Sequence, residues 1–205
     1  MGIGTLREAF EIEVESSKDI IIALAGNPNT GKSTLFNGLT GLNQHTGNWP
    51  GKTVVNAQGK YTHKGQQYIL VDLPGTYSLL ANSIEEQVAR DFICFANPHV
   101  TVVVVDATSL ERNLNLVLQV MEITDKIIIC VNIMDEAERK GIHIDFKKLE
   151  GLLGVPVIGT IARDGQGFKE LKSTIEKVAN GEIVTNPKRT KYDFILKNAI
   201  KQMQP

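Results

Sequence analysis

The stretch Gly26-Asn-Pro-Asn-Thr-Gly31-Lys32-Ser33 constrains this chain more than any other feature. It is a complete GxxxxGK[ST] pattern, and its surroundings suit it: a β-branched run at residues 20–25 before it, a helix-period segment from Lys32 to about Thr40 after it. Glycines let the backbone curl so that successive N–H groups face inward around a phosphate. The helix start adds a favourable dipole for an anion. In such a loop Lys32 sets its ammonium against the β and γ oxygens of a nucleotide, and Ser33 offers its hydroxyl to Mg²⁺. Gly26, Asn27, Asn29, Thr30, Gly31 and Thr34 complete the predicted nucleotide-binding loop.

The rest of the chain repeats the strand–helix alternation. Strand-like runs fall at residues 54–61, 67–72, 100–106, 127–132 and 157–159. Helical segments are expected from the capping box Ser83-x-x-Glu86, over 110–121, from Asp145 to Leu153, and over 168–180. This predicts an α/β fold of the Ras-like P-loop GTPase kind: a mostly parallel six-stranded sheet with helices on both faces. The run at 67–72 follows its neighbour through Lys64-Gly65, so one antiparallel edge strand is expected. Residues 41–53 are polar and turn-rich and read as a mobile loop. The expected organisation is an acidic extension at 1–18, one domain at 19–181, and at 182–205 a polar linker with the first helix, 192–203, of a truncated helical domain.

The phosphate loop alone does not choose the nucleotide. Asp72-Leu-Pro-Gly75 lies at a strand end about forty residues later, where a DxxG switch belongs. Its aspartate would hold a magnesium-bound water and the Gly75 N–H would sense a γ-phosphate; by itself the pattern could be a plain turn. Asn132-Ile-Met-Asp135 follows a buried run and matches NxxD. A carboxylate accepts two parallel hydrogen bonds from guanine N1–H and N2–H₂, a pair that adenine lacks. ATP would leave Asp135 unpaired at a cost of order a few kcal/mol. The plainer reading of Asp135 is a helix cap. Met134 is taken to occupy the place of the usual lysine, its apolar stem packing along the base. Thr53, with Gly51 and Lys52 before it, is the natural second magnesium hydroxyl, closing on the metal when a γ-phosphate is present. Thr160-Ile161-Ala162 is expected to offer a backbone N–H, that of Ala162, to guanine O6; Ile161 removes the hydroxyl support usual there.

Composition narrows the alternatives. The net charge of −1 gives no global pull toward nucleic acid or anionic lipid. No run approaches the roughly 18 apolar residues of a membrane span, and Glu8, Glu11, Glu13 and Glu15 interrupt any signal-peptide pattern. As given, the chain is expected to be soluble. Cys94 and Cys130 both sit in apolar runs without metal-ligand spacing and are expected to be buried core thiols.

Taken together, the phosphate loop, Gly47-Asn-Trp-Pro-Gly-Lys-Thr53, Asp72-Leu-Pro-Gly-Thr-Tyr-Ser-Leu79, Asp106-Ala-Thr-Ser-Leu-Glu-Arg-Asn-Leu114 and Asn132-Ile-Met-Asp135 resemble the FeoB family, over about residues 20–180. Its members are bacterial ferrous iron transporters with an N-terminal GTPase domain. The resemblance implies a domain on the cytoplasmic face of the inner membrane. Its partners would be guanine nucleotide, GTP or GDP, and a membrane permease domain absent from this sequence; a homo-oligomer is left open. It also implies potassium-stimulated hydrolysis, with K⁺ held by Asn29 and by backbone carbonyls of Gly47 and Trp49, neutralising charge between the β and γ phosphates. For the Trp49 side chain a buried anchor is the plainer role. Thr76 stands where Ras-like enzymes place a water-orienting glutamine, which implies no side-chain general base. Turnover is then expected to be slow, roughly 10⁻⁴ to 10⁻² s⁻¹.

A ribosome- or RNA-associated GTPase is the main rival reading. Its usual basic domain is not seen; the basic cluster Lys188-Arg189-Thr-Lys191 reads as a solvated linker. A GTP-binding scaffold without turnover is the second rival, opposed by the complete set of Lys32, Thr53 and Asp72.

Overall fold

The computed structural model describes residues 10–41 and 44–189. In chain order the elements are β1 (Ile20–Gly26), α1 (Lys32–Thr40), β2 (Gln44–Asn48), β3 (Val55–His63), β4 (Gln66–Asp72), α2 (Ile84–Asp91), β5 (Val100–Asp106), α3 (Leu110–Ile123), β6 (Ile127–Asn132), α4 (Met134–Arg139), α5 (Phe146–Leu153), β7 (Val157–Gly159) and α6 (Phe168–Ala179). The strands form one sheet in the order β2-β3-β4-β1-β5-β6-β7. β1 pairs in parallel with β4 and β5, and β5–β6 and β6–β7 are parallel too. β2–β3 and β3–β4 are antiparallel.

Side-chain alternation explains why both faces are covered. Ile21, Ala23 and Ala25 of β1, Val103 and Val105 of β5, and Ile127, Ile129 and Val131 of β6 share one apolar cluster with Val88 of α2 and Leu116, Val117 and Val120 of α3. Their neighbours Ile22, Leu24, Val102, Val104, Ile128 and Cys130 face the other way, onto Leu35, Phe36 and Leu39 of α1 and Leu171, Ile175 and Val178 of α6. Strands buried on both sides read as continuous β-branched runs, which is why they were legible.

Several expectations are corrected. Among the described residues the sheet has seven strands, not six, because residues 44–48, expected within a loop, form β2 on the edge of β3. Two antiparallel pairings replace the one expected. Cys94 is exposed, on a short π-helical turn, Phe92–Ala96, that continues α2. Cys130 is buried, and burial pushes its thiol up to about 12.

Helix starts follow the expected chemistry. Ser83 accepts from the Glu86 N–H, and Asp145 accepts from the Lys148 N–H at 3.0 Å. Residues 182–189 are not a free linker. Asn186 N–H donates to the Gly154 carbonyl and Lys188 N–H to the Leu153 carbonyl, both at 2.9 Å. Arg189 donates to the Met121 carbonyl at 2.7 Å and pairs with Asp125, so part of the basic cluster is pinned rather than solvated. The helix expected at 192–203, Lys191, and residues 1–9 of the extension lie outside the described residues. No helix among the described residues is long and apolar enough to cross a membrane.

Candidate functional site

Four parallel strands deliver the loops of interest to one rim of the sheet. β1 runs into the phosphate loop, β4 into Asp72–Gly75, β6 into Asn132–Asp135, and β7 into Thr160–Ala162. This is the carboxyl rim, where open α/β sheets bind ligands.

The phosphate loop is shaped by close approaches. A Cβ on Gly26 would lie 2.6 Å from the Val104 carbonyl oxygen. Gly31 has φ +76° and caps α1; a Cβ there would lie 2.3 Å from Asn132 Nδ2. Asn29 also adopts a positive φ, 65°. Thr30 Oγ1 donates to the Asn27 carbonyl at 3.0 Å, closing the loop on itself. Asn27, Asn29, Gly31, Lys32, Ser33 and Thr34 line a cleft of about 310 Å³, with Gly75 opposite.

Asn132 ties this loop to the other end of the site. Its carboxamide donates to the Thr30 carbonyl at 3.0 Å and accepts from Ala162 N–H at 2.9 Å and from Thr160 Oγ1 at 3.1 Å. It is 3% exposed, so these bonds are made where water cannot replace them. Ala162 N–H, expected to face a base, is here bonded to Asn132, and Ala162 lines the cleft.

Lys32 is nearly buried and donates to the Asp72 carboxylate and, at 2.7 Å, to the Leu73 carbonyl. Burial holds the Asp72 carboxyl above its ordinary range, and the Lys32 ammonium opposes that rise. Gly75 faces Pro28 across the cleft. Thr76 N–H donates to the Gly26 carbonyl at 3.2 Å, and its hydroxyl donates to the Ser78 carbonyl at 2.8 Å. The Thr76 side chain thus serves its own loop.

A second cleft, about 220 Å³, opens beside the first and is shared by Asn29, Gly31 and Thr34. Asn132, Ile133, Asp135, Ile161, Ala162 and Arg163 form its other wall. Two residues differ from the sequence reading. Ile133, at φ +65°, faces this cleft, whereas Met134 packs on the core and lines a separate cleft with Phe146 and Val157. Met134 therefore does not line the cleft expected of it, and Ile133 does. Arg163 was missed altogether. Its guanidinium donates to Asp135 Oδ2 at 3.0 Å and to Asp164 at 3.2 Å. Arg139 approaches the same Asp135 oxygen at 3.7 Å. The available signal was a basic residue directly after Thr160-Ile161-Ala162.

The remaining predicted residues are not brought here. Gly47 sits in β2 opposite Asn56. The Trp49 carbonyl accepts from Lys52 N–H at 2.9 Å, and Trp49 N–H donates to the Val54 carbonyl at 2.8 Å. Gly51 has φ +68°, and both Gly51 and Thr53 are exposed. None of Gly47, Trp49, Gly51, Lys52 and Thr53 lines the phosphate cleft. The Trp49 side chain is a buried anchor, 2% exposed.

The fold and the convergence of these loops define a Ras-like P-loop GTPase domain. The chain matches the family "Ferrous iron transport protein B" over residues 20–175 and belongs to it. It is 43% identical over 171 residues to the Fe(2+) transporter FeoB of Escherichia coli (strain K12), covering 82% of this chain and 22% of that protein. A Fe(2+) transport protein A/Fe(2+) transporter FeoB fusion protein of Porphyromonas gingivalis is 38% identical over 96% of this chain and 24% of its own length. The chain thus spans about a quarter of these relatives. The cytosolic domain of the T. maritima FeoB iron transporter in its GMPPNP form is similar with a TM-score of 0.80 at 38% identity, covering 89% of this chain and 72% of that one.

Proposed function

We propose that this chain is the GTP-binding and GTP-hydrolysing regulatory domain of a ferrous iron membrane transporter. The observation that carries the reading is Asn132, which joins the phosphate loop at Thr30 to the base loop at Ala162. That bond pattern supports reading the two adjoining clefts as one site, with the phosphate loop at one end and Asp135 at the other.

The residues fit a guanine nucleotide with magnesium. Gly31 leaves room for the Asn132 amide that a Cβ would strike, and Asp72 is a partly buried carboxylate held by one ammonium. In use, phosphate oxygens compete for Lys32, which moves its donors off Leu73 and Asp72 onto the β and γ oxygens. Asp72 is then free to hold a metal-bound water, and Ser33 and Thr53 supply hydroxyls. Magnesium, when bound, neutralises phosphate charge and aligns the leaving oxygen. Asp135 accepts from guanine N1–H and N2–H₂, while Arg163, donating to its Oδ2 at 3.0 Å, keeps that carboxylate aimed. Thr76 contributes no base, so backbone groups of the loops position the water and turnover is slow.

Potassium fits only in part. Asn29 stands at the junction of both clefts, but Gly47 and Trp49 are held on the sheet edge. Their carbonyls can join Asn29 only after residues 44–54 leave that edge. By analogy with its relatives, the domain works at the cytoplasmic face of a membrane permease part of the same protein.

The test is GTP hydrolysis in KCl and in NaCl at equal ionic strength, with Asn29→Ala alongside. Faster hydrolysis in KCl, lost in Asn29→Ala, is the expected result. Equal rates in both salts remove the potassium site and leave a magnesium GTPase. No hydrolysis in either salt overturns the catalytic reading.

A further inference from the structure

We propose that residues 10–19 form an intrachain clamp that holds the switch segment, residues 44–54, on the sheet edge and away from the phosphate cleft. The proposal rests on reading that segment as the nucleotide-sensing switch.

The segment is exposed along most of its length, at His45, Thr46, Gly47, Asn48, Pro50, Gly51 and Thr53. Trp49 alone among these neighbours is fully enclosed, and the clamp encloses it. Its ring meets Phe10 edge-on at 6.0 Å and Phe92 at 5.5 Å, and Phe10 meets Phe92 at 5.3 Å. Three rings from the N-terminal segment, the switch and the turn after α2 thus close one aromatic cluster.

The clamp is fastened to the strand that carries the switch. Gln58 of β3, 6% exposed, donates its amide to the Glu11 carbonyl at 2.9 Å and accepts from Glu13 N–H at 3.2 Å. Lys60, two residues on, pairs with Glu15 at 2.7 Å. Asp19 holds the lower turn through the N–H groups of Glu15 and Ser16, each at 2.9 Å. Glu11 takes a left-handed φ of 50° to make this route.

Two features make the docked form releasable. Trp49 Nε1 is buried with no partner among the described residues, a cost that undocking removes. The backbone of Trp49 also accepts from Lys52 and donates to Val54, so moving Trp49 frees the turn that carries Thr53. A ligand that needs Thr53 at its metal therefore works against the clamp. GDP, which makes no such demand, does not.

Trp49 is the one tryptophan of the chain, so its emission reads the clamp directly. The experiment compares the intact chain with Phe10→Ala, following fluorescence and affinity with Mg²⁺ and either GDP or the non-hydrolysable analogue GMPPNP. In the parent, GMPPNP should red-shift the emission and GDP should not. Phe10→Ala should be red-shifted without nucleotide and bind GMPPNP on the order of tenfold tighter, with GDP affinity within about twofold. The unchanged GDP affinity shows that the domain is folded. Gln58→Leu should move both readouts the same way by about threefold. If GMPPNP shifts the parent's emission but Phe10→Ala and Gln58→Leu behave as the parent, the clamp is wrong and the switch reading survives. If GMPPNP binds without moving Trp49 emission in any variant, the switch reading fails and the clamp falls with it.

Discussion

Residues 26–33 leave β1 and residues 44–54 begin with β2, three strands away in the same sheet, yet they are secured by opposite means. The phosphate loop leaves a central strand buried on both faces and is locked by a carboxamide that water cannot reach. The switch segment hangs on an edge strand and is fixed by one tryptophan wedged between two phenylalanines. The first is made by the core and is ready before any ligand arrives. The second is held by contacts that can be undone one at a time. On the proposed function, the rigid half would hold the nucleotide and the loose half would sense its γ-phosphate.

The largest effect should come from breaking the rigid half. Gly31→Ala places a Cβ into the Asn132 carboxamide at a left-handed φ. It should abolish detectable GDP and GTP binding, a loss of at least about a hundredfold, and destabilise the domain by about 2 kcal/mol. Isothermal titration and urea unfolding measure the two. Unimpaired binding would mean that the loop is far softer than its bonds suggest.

Breaking the loose half should spare binding. Thr53→Ala should lower GTP hydrolysis by about ten- to a hundredfold while GDP affinity stays within about twofold, since Thr53 is exposed and outside the cleft. A parallel fall in GDP affinity would erase the distinction between the halves.

The smallest effect belongs to the base end. Arg163 is largely exposed, so solvent screens its pair with Asp135 and leaves it a weak one. Arg163→Ala should weaken GDP and GTP binding equally, by about three- to fivefold, and high salt should shrink the difference. An effect on GTP alone would move Arg163 from base to phosphate.

What could be read from the sequence follows the same division. Ile127–Asn132 and Lys32–Thr40 were legible because a β-branched run and a glycine loop fix them locally. Gln44–Asn48 was not, because its residues carry no alternation; it is a strand only by backbone pairing to β3. Ile133 was misplaced by one position because a β-branched residue rarely adopts the left-handed turn found there, the turn that swings Met134 into the core. Phe10 carried no local signal, since its partners Trp49 and Phe92 are distant in sequence. Arg163 lay one residue past the motif, and its role exists only through Asp135 on another loop.

The anchoring of residues 186–189 sets how tension reaches the nucleotide. Asn186 and Lys188 are moored to Gly154 and Leu153, and Arg189 to Met121 and Asp125, all at the rim opposite the phosphate loop. A pull on the chain beyond Arg189 is first borne by those moorings and must travel the length of the sheet to be felt at Lys32. A displacement of Phe10 instead acts straight on the ring that steadies Trp49. The domain therefore has a stiff handle at one end and a trigger at the other.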